Sequence, residues 1–264
     1  MSRLAERDWV AGQYRDASNF DARVQIYRYA QQPVKWPVWL FERVALADGE
    51  CVLEVGCGTG NLWRDNADRL PAVDLVLTDL SPGMLDATRE RLADLSAARR
   101  YARCDVQHLP FPDAHFDVAV ANHMLYHVPD RSLALSELSR VLRPGARLLV
   151  STNDWTHLIE LRELCQRFDL QGQFLRPGRL ASFFDVETAA AELSAHFPSV
   201  RVHRRIDALE VADADSLAAY VSSMTDTAEN PDALSRLHAH AQTEITRLGS
   251  LHITTSVAVF EARS

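Results

Sequence analysis

The chain has 264 residues, 47% of them hydrophobic and 24% charged, enough for one large α/β domain or two small ones. A formal net charge of −8 argues against a nucleic-acid binder, which carries a basic face. No apolar run approaches the roughly 20 residues of a membrane span. The first residues, "MSRLAERDWV", lack the apolar core of a signal peptide, and the four cysteines form no Cys-x-x-Cys pair. A cytoplasmic, reducing setting is expected, without a zinc site or disulfide framework.

Residues 1–46 carry helical patches and two tryptophans, Trp36 and Trp39, around Pro37. "ECVLEV" reads as a buried first strand, and "NLWRDNADRL" after it as a helix. "DLVLTD" (Asp74 to Asp79) is the second strand. Ser81-Pro82 supplies a cap and a first-turn proline for a helix through "GMLDATRERLADL". "RYARCD" (Arg100 to Asp105) is a weaker third strand, although "RRYAR" (Arg99 to Arg103) also reads as a solvated helix end. "FDVAVAN" (Phe116 to Asn122) is the fourth. Asp130 caps a helix that Pro144-Gly145 stops, and "ARLLVST" (Ala146 to Thr152) is the fifth strand. Residues 155–199 are mostly helical. "VRVHRRIDALEVAD" is a sixth strand, two helices follow, the second capped by Asn230-Pro231, and "LHITTSVAVFEA" is the last strand. The βα alternation predicts a doubly wound α/β sheet with helices on both faces. The expected organisation is a helical cap at 1–46 and a main domain at 47–264 with a helical insertion at about 155–199. No linker marks a separate second domain.

The first strand ends in "LEVGCGTGN", where Gly56, Gly58 and Gly60 let a ligand approach the backbone beyond the strand ends. A dinucleotide fingerprint wants G-x-G-x-x-G, but Asn61 stands at the third glycine position. A P-loop wants a lysine, and none follows Gly60. Asp79, ending strand two about 20 residues on, is placed to accept hydrogen bonds from both ribose hydroxyls. Asp105, ending strand three, is placed to take an adenine amino group, with Val106 packing on the ring. Each acid alone also reads as a strand-end turn residue. Together, at successive strand ends, they describe a groove for adenosine.

"VLEVGCGTGNLW", "LTDLSPGML", "CDVQHLPFPDAHFDVAVANHMLYHVPD" and "VLRPGARLLVST" resemble, in order, the motifs of class I S-adenosylmethionine-dependent methyltransferases. The flavour is that of the branch with quinone-biosynthesis C-methyltransferases and small-molecule methyltransferases. The resemblance covers about residues 50–154. It implies a Rossmann-like seven-stranded sheet of order 3-2-1-4-5-7-6 with an antiparallel last strand. It further implies that Gly56, Cys57, Gly58 and Gly60 hold the methionine part of S-adenosylmethionine, with Glu54 bracing the loop. Asp79 then takes the ribose, with Leu80 and Met84 near the adenosine. Asp105 and Val106 take adenine, and Asn122 lies near the methionine amine. Arg23 and Arg28 are candidates for the carboxylate, or ordinary surface residues.

Methyl transfer from a sulfonium needs positioning and desolvation first, and a general base only when the acceptor must lose a proton. "NHMLYHVPD" after strand four offers His127 and then His123 as that base, with Tyr126 beside them; both histidines also read as packing residues. After strand five, Asp154 and His157 face the acceptor side, although Asp154 equally reads as a helix cap. The aromatics Tyr14, Phe20, Tyr27, Tyr29, Trp36, Trp39, Trp63, Trp155, Phe174, Phe183 and Phe184 are dense in the expected cap and, although most also read as packing residues, suit a small organic acceptor, of oxygen, nitrogen or carbon type. Asn122 and Asn153-Asp154 lack the first carboxylate of a magnesium-binding methyltransferase, so no metal is expected. A binding protein without catalysis and a nicotinamide oxidoreductase are the alternatives. Oligomeric state is not legible.

Overall fold

The computed structural model describes residues 18–170, 184–224 and 231–264. Its sheet has seven strands in the order β3-β2-β1-β4-β5-β7-β6. They are β1 (Cys51–Val55), β2 (Asp74–Asp79), β3 (Ala98–Arg103), β4 (Phe116–Asn122), β5 (Leu142–Asn153), β6 (Ser199–Val211) and β7 (Leu251–Arg263). The pairs β1–β2, β1–β4, β2–β3 and β4–β5 are parallel, and β7 runs antiparallel to both β5 and β6. The order reverses at β1/β4, which opens a crevice at the strand ends, where the glycine loop emerges. The central strands β1, β2 and β4 are nearly continuous apolar runs because helices cover both faces.

The helices are α1 (Ser18–Gln25), α2 (Trp36–Val44), α3 (Asn61–Arg64), α4 (Pro82–Arg91), α5 (Arg131–Val141), α6 (Ile159–Arg167), α7 (Val186–Ser194), α8 (Ala214–Met224) and α9 (Pro231–Leu248). Three buried clusters hold them. Phe116, Phe184, Phe197 and Phe260 lie in the one formed with α5 and α7. Leu40, Trp63 and Leu77 lie in the one formed with α2 to α4. Ile26, Leu217, Tyr220 and Leu237 form a separate layer of α8, α9 and the segment after α1.

Several expected boundaries move. The helix expected over Asn61 to Leu70 ends at Arg64 and resumes as a 3-10 turn over Ala67–Arg69. Asn66 is the cause: its side-chain amide donates to the carbonyls of Leu62 (2.6 Å) and Pro37 (3.1 Å), while its own N–H bonds Trp63 one residue short of helical spacing. "RRYAR" is no helix end; it lies in β3, at the sheet edge. Arg99 there donates to the carbonyls of Ala93, Leu95 and Ala97, and a charged strand protects an exposed edge from mispairing. Pro144-Gly145, read as a helix stop, falls inside β5, which begins directly at Leu142. Asn230, read as a cap, lies outside the described residues.

β6 and β7 are each 13 residues long, against five for β1. β5 pairs β7 only over Val257 to Arg263, so Leu251 to Ser256 pair with β6 alone. The ribbon thus projects past the sheet and carries the helical layer. The isolated bridge Ala30–Leu209 ties the chain after α1 to it.

Phe260 joins the β5–β7 pair to the α5/α7 cluster with no exposed surface. Phe260→Ala is expected to cost about 3–5 kcal/mol, read as a lower urea midpoint with an unchanged slope.

Candidate functional site

Three backbone turns build the first end of the site. Gly56, Gly58 and Gly60 all have positive φ, at 64°, 56° and 73°. At Gly56 a Cβ would also stand 2.8 Å from the Cβ of Met124, so the loop after β4 fixes how closely the two turns approach. The Gly58 N–H donates to Asp79 Oδ2 (3.0 Å) and the Ser81 N–H to Asp79 Oδ1 (2.9 Å). Burial raises the Asp79 carboxyl above the usual range, and these backbone donors pull it back down. Thr88 of α4 donates to the Gly58 carbonyl (2.6 Å), and the Cys57 N–H donates to the Thr78 carbonyl (2.9 Å).

Glu54 sits beneath the loop, fully buried, accepting from the Trp63 indole N–H at 2.5 Å. Burial pushes its carboxyl up to about 8, against the pull of the Trp63 hydrogen bond, and nearby Asp79 adds to the rise. Burial likewise drives the Cys57 thiol upward, which makes it inert.

The loop is tied to the N-terminal helix. Arg91 of α4 donates to Thr59 Oγ1 (2.8 Å) and Asn61 Oδ1 (3.0 Å), and pairs with Asp21 of α1 at 3.2 Å. Phe20 of α1 faces Gly58 at 3.8 Å from where a Cβ would stand.

At the β3 end, Asp105 is clamped by Gln107, whose backbone and side-chain N–H groups donate at 3.0–3.1 Å. Gln107 Oε1 in turn accepts from the Asp130 N–H (3.0 Å), and Val106 is buried beside it. Leu80 is 42% exposed, a large apolar side chain turned to the crevice between Asp79 and Asp105, whereas Met84 is buried under it.

A cavity of about 880 Å³ runs from this end to a second, aromatic one. Asn122 lies between them. Its Oδ1 accepts from Ser151 Oγ (2.7 Å) and from the Trp36 indole N–H (3.3 Å), so α2 is latched to the end of β4. Ser151 Oγ also accepts from the His123 N–H (2.9 Å), which holds His123 at a φ of 53°, a conformation unfavourable for a non-glycine residue. The His123 ring lies 5.1 Å from Trp36 and 6.5 Å from Tyr126, and His127 meets Tyr126 edge-on at 4.5 Å. Burial holds the His123 imidazole down to about 4, so it is neutral near pH 7.

His157 completes this end. Its Nδ1 accepts from the Ser256 N–H (3.1 Å) and its Nε2 meets the Tyr27 hydroxyl (3.2 Å). Burial, then the charges of His123 and Arg162, lower its pKa to about 3. Asp154 lies at the cavity wall with its carboxylate committed: Oδ1 caps the turn at Thr156, and Oδ2 pairs with Arg204 at 2.6 Å. Its cap reading therefore describes it better than an acceptor contact. Arg28 is likewise engaged, with Ser216 and Asp213, and Arg23 donates to the Ser223 carbonyl.

Every candidate site residue singled out from the sequence, Gly60 apart, lines this one cavity. Of the cap aromatics, Phe20, Tyr27, Trp36 and Trp155 line it, whereas Trp63 and Phe184 are core. Tyr14, Phe174 and Phe183 fall outside the described residues. Sequence reasoning did not single out Ser151, Thr88, Arg91 or the particular role of Tyr27. Only the fold brings them to the site, and no spacing signals them. Among the described residues, no three His, Cys, Asp or Glu side chains converge as a metal ion requires.

Residues 53–150 match the family model of the methyltransferase domain. The chain is 39% identical over 124 residues to malonyl-[acyl-carrier protein] O-methyltransferase of Serratia marcescens, covering 46% of this chain and 45% of that protein. It is 34% identical over 116 residues to the ubiquinone/menaquinone biosynthesis C-methyltransferase UbiE of Ralstonia pickettii, covering 44% and 48%. The matches thus span about half the length of these relatives. Beyond the segment the likeness is one of fold. Phosphoethanolamine N-methyltransferase 2 of Haemonchus contortus, solved with S-adenosyl-L-methionine, superposes with a TM-score of 0.61 at 18% identity, covering 98% of this chain and 59% of that one. The sheet of this chain has the expected order and the antiparallel seventh strand.

The raised Glu54 carboxyl has a pH consequence. Between about pH 4.5 and pH 8 the folded state keeps a proton that the unfolded chain has released, so Glu54 lowers stability as pH rises through that window. Glu54→Gln, which can still accept from Trp63, is expected to flatten this dependence. Denaturant unfolding near pH 5 and pH 8 should show a smaller loss for the variant than for the parent.

Proposed function

We propose that the chain transfers a methyl group from S-adenosylmethionine to a small organic acceptor bound at the aromatic end of the cavity. The observation that carries this reading is the continuity of that cavity: one end is built of a glycine loop and two strand-end carboxylates, the other of Trp36, Tyr126 and histidines. The residues fit the cofactor. The loop at Gly58 leaves room for close approach, Asp79 and Asp105 suit ribose and adenine, and Leu80 offers an apolar face to the ring. When bound, S-adenosylmethionine supplies an activated methyl on a sulfonium.

The protein's own part is to orient, desolvate and remove a proton. Trp36, latched to Asn122, walls the passage between the two ends and excludes water there. Asn122 also suits the methionine amine. His123 is too weak a base to hold a proton at neutral pH, and it serves as a neutral wall and lone-pair acceptor. His127, half-buried against Tyr126, is the residue we assign to take the acceptor's proton. The described parts of residues 1–46 and about 155–199 act together as a cap over the cavity, and the helical layer that Ile26 shares with Leu158, Leu161 and Leu217 supports that division. No helix among the described residues is long and apolar enough to cross a membrane. The free thiols Cys51, Cys57, Cys104 and Cys165 fit a reducing cytoplasm.

S-adenosylhomocysteine at about 100 times its Kd is expected to raise Tm by about 5 °C or more, and NAD to leave it unchanged. Asp79→Ala should abolish the rise; a retained rise removes the ribose assignment.

With an accepted substrate, His127→Ala is expected to lower kcat by about 100-fold or more at unchanged S-adenosylhomocysteine affinity. An unchanged rate across the pH range retires His127 as the base.

A further inference from the structure

Tyr27 sits in the 3-10 turn Ile26–Tyr29 that follows α1, with its hydroxyl at the aromatic end of the cavity. Its partner His157 has a defined tautomer. A backbone N–H can only donate, so the Ser256 N–H (3.1 Å) requires a lone pair at His157 Nδ1. A neutral imidazole then carries its proton on Nε2, and the low pKa that burial gives His157 keeps it neutral. Nε2–H therefore donates to the Tyr27 oxygen at 3.2 Å. The Tyr27 oxygen is thereby an acceptor from the protein, and its own proton is directed elsewhere. Desolvation of the hydroxyl, then the neighbouring Tyr126, raise the Tyr27 pKa even though 39% of the residue is exposed, so the phenol remains a donor throughout the working pH range.

We propose that Tyr27, oriented by the Ser256–His157 relay, is the acceptor-recognition donor of this enzyme, and that the acceptor presents an enolate or phenolate oxygen to it. A donor fixed before binding is worth most to an oxygen that carries negative charge. An ammonium group has no lone pair to receive it. The surroundings agree in sign: Arg162, close enough to His157 to lower its pKa, lines the cavity. The facing carboxylates are spoken for, since Asp154 pairs with Arg204, and Asp207 accepts from the Gln32 N–H and pairs with Arg205. His123 and His127 contribute no negative charge. Tyr27 forms no covalent bond and gives up no proton; the methyl moves from sulfur to the acceptor as in the reading above, on which this inference rests.

The test separates the two. Titration of the full chain with S-adenosylhomocysteine reads the cofactor end alone. Titration of that complex with 4-nitrophenolate, followed by its absorbance, reads the acceptor end without turnover. Tyr27→Phe is expected to weaken 4-nitrophenolate about tenfold or more, as loss of a hydrogen bond to a charged group does, at unchanged S-adenosylhomocysteine affinity. His157→Phe should do the same. His157→Gln, which keeps an N–H for Tyr27, should restore most of the affinity. Benzylamine, tested as its ammonium, should not compete. Equal 4-nitrophenolate affinity in Tyr27→Phe, no binding to the parent complex, or competition by benzylamine overturns the inference. Failure of S-adenosylhomocysteine to bind overturns the cofactor reading instead.

Discussion

The Asp79 carboxylate holds two turns at once, through the Gly58 N–H and the Ser81 N–H. The rest of the cofactor end depends on that arrangement. It sets the glycine loop against the end of β2, which positions the N-terminus of α4 and, through Thr88 and Arg91, closes the same loop from the other side. A carboxylate with two backbone donors still has lone pairs to offer. The residue that shapes the loop is therefore also one that can meet a ligand's hydroxyls, and the site is preorganised rather than assembled on binding.

A second constraint is the neutrality of two histidines at the aromatic end. Desolvation keeps both His123 and His157 unprotonated, and the hydrogen bonds at His157 leave its ring little freedom of tautomer or rotamer. The strained backbone at His123 is sustained by Ser151, which in turn fixes Asn122 and so Trp36. One short network thus links the ends of β4 and β5 to the N-terminal segment. Methyl transfer from a sulfonium benefits from such an environment, because a desolvated, pre-oriented cavity lowers the barrier without a metal or a charged base at the reacting atoms.

The parts of the molecule readable in the sequence were those governed by local rules. β2 and β4 follow from apolar runs, and α4 from Ser81-Pro82, whose hydroxyl does accept from the Met84 N–H. The nearness of Asp79 and Asp105 was legible because parallel strands bring their ends to one edge, although β3 stops at Arg103, two residues before Asp105. What escaped depends on long-range encounters. Asn66 breaks a helix by bonding Pro37, which is distant in sequence. Tyr27 meets His157 across 130 residues. Asp154 finds Arg204 only because β6 returns beside β7. No spacing rule carries such pairs.

The overhang of β6 and β7 separates the two ends of the cavity mechanically. Residues that line the aromatic end, Arg205, Asp207, Thr255 and Val257, ride at or beyond the point where β5 stops pairing with β7. At about 3.3 Å per residue the unpaired stretch extends some 20 Å from the sheet. Substitutions, or changes in length, along that arm alter what the cavity accepts while leaving the glycine loop and its two acids in place. The architecture thereby separates the part of the chain that shapes one end of the cavity from the part that shapes the other.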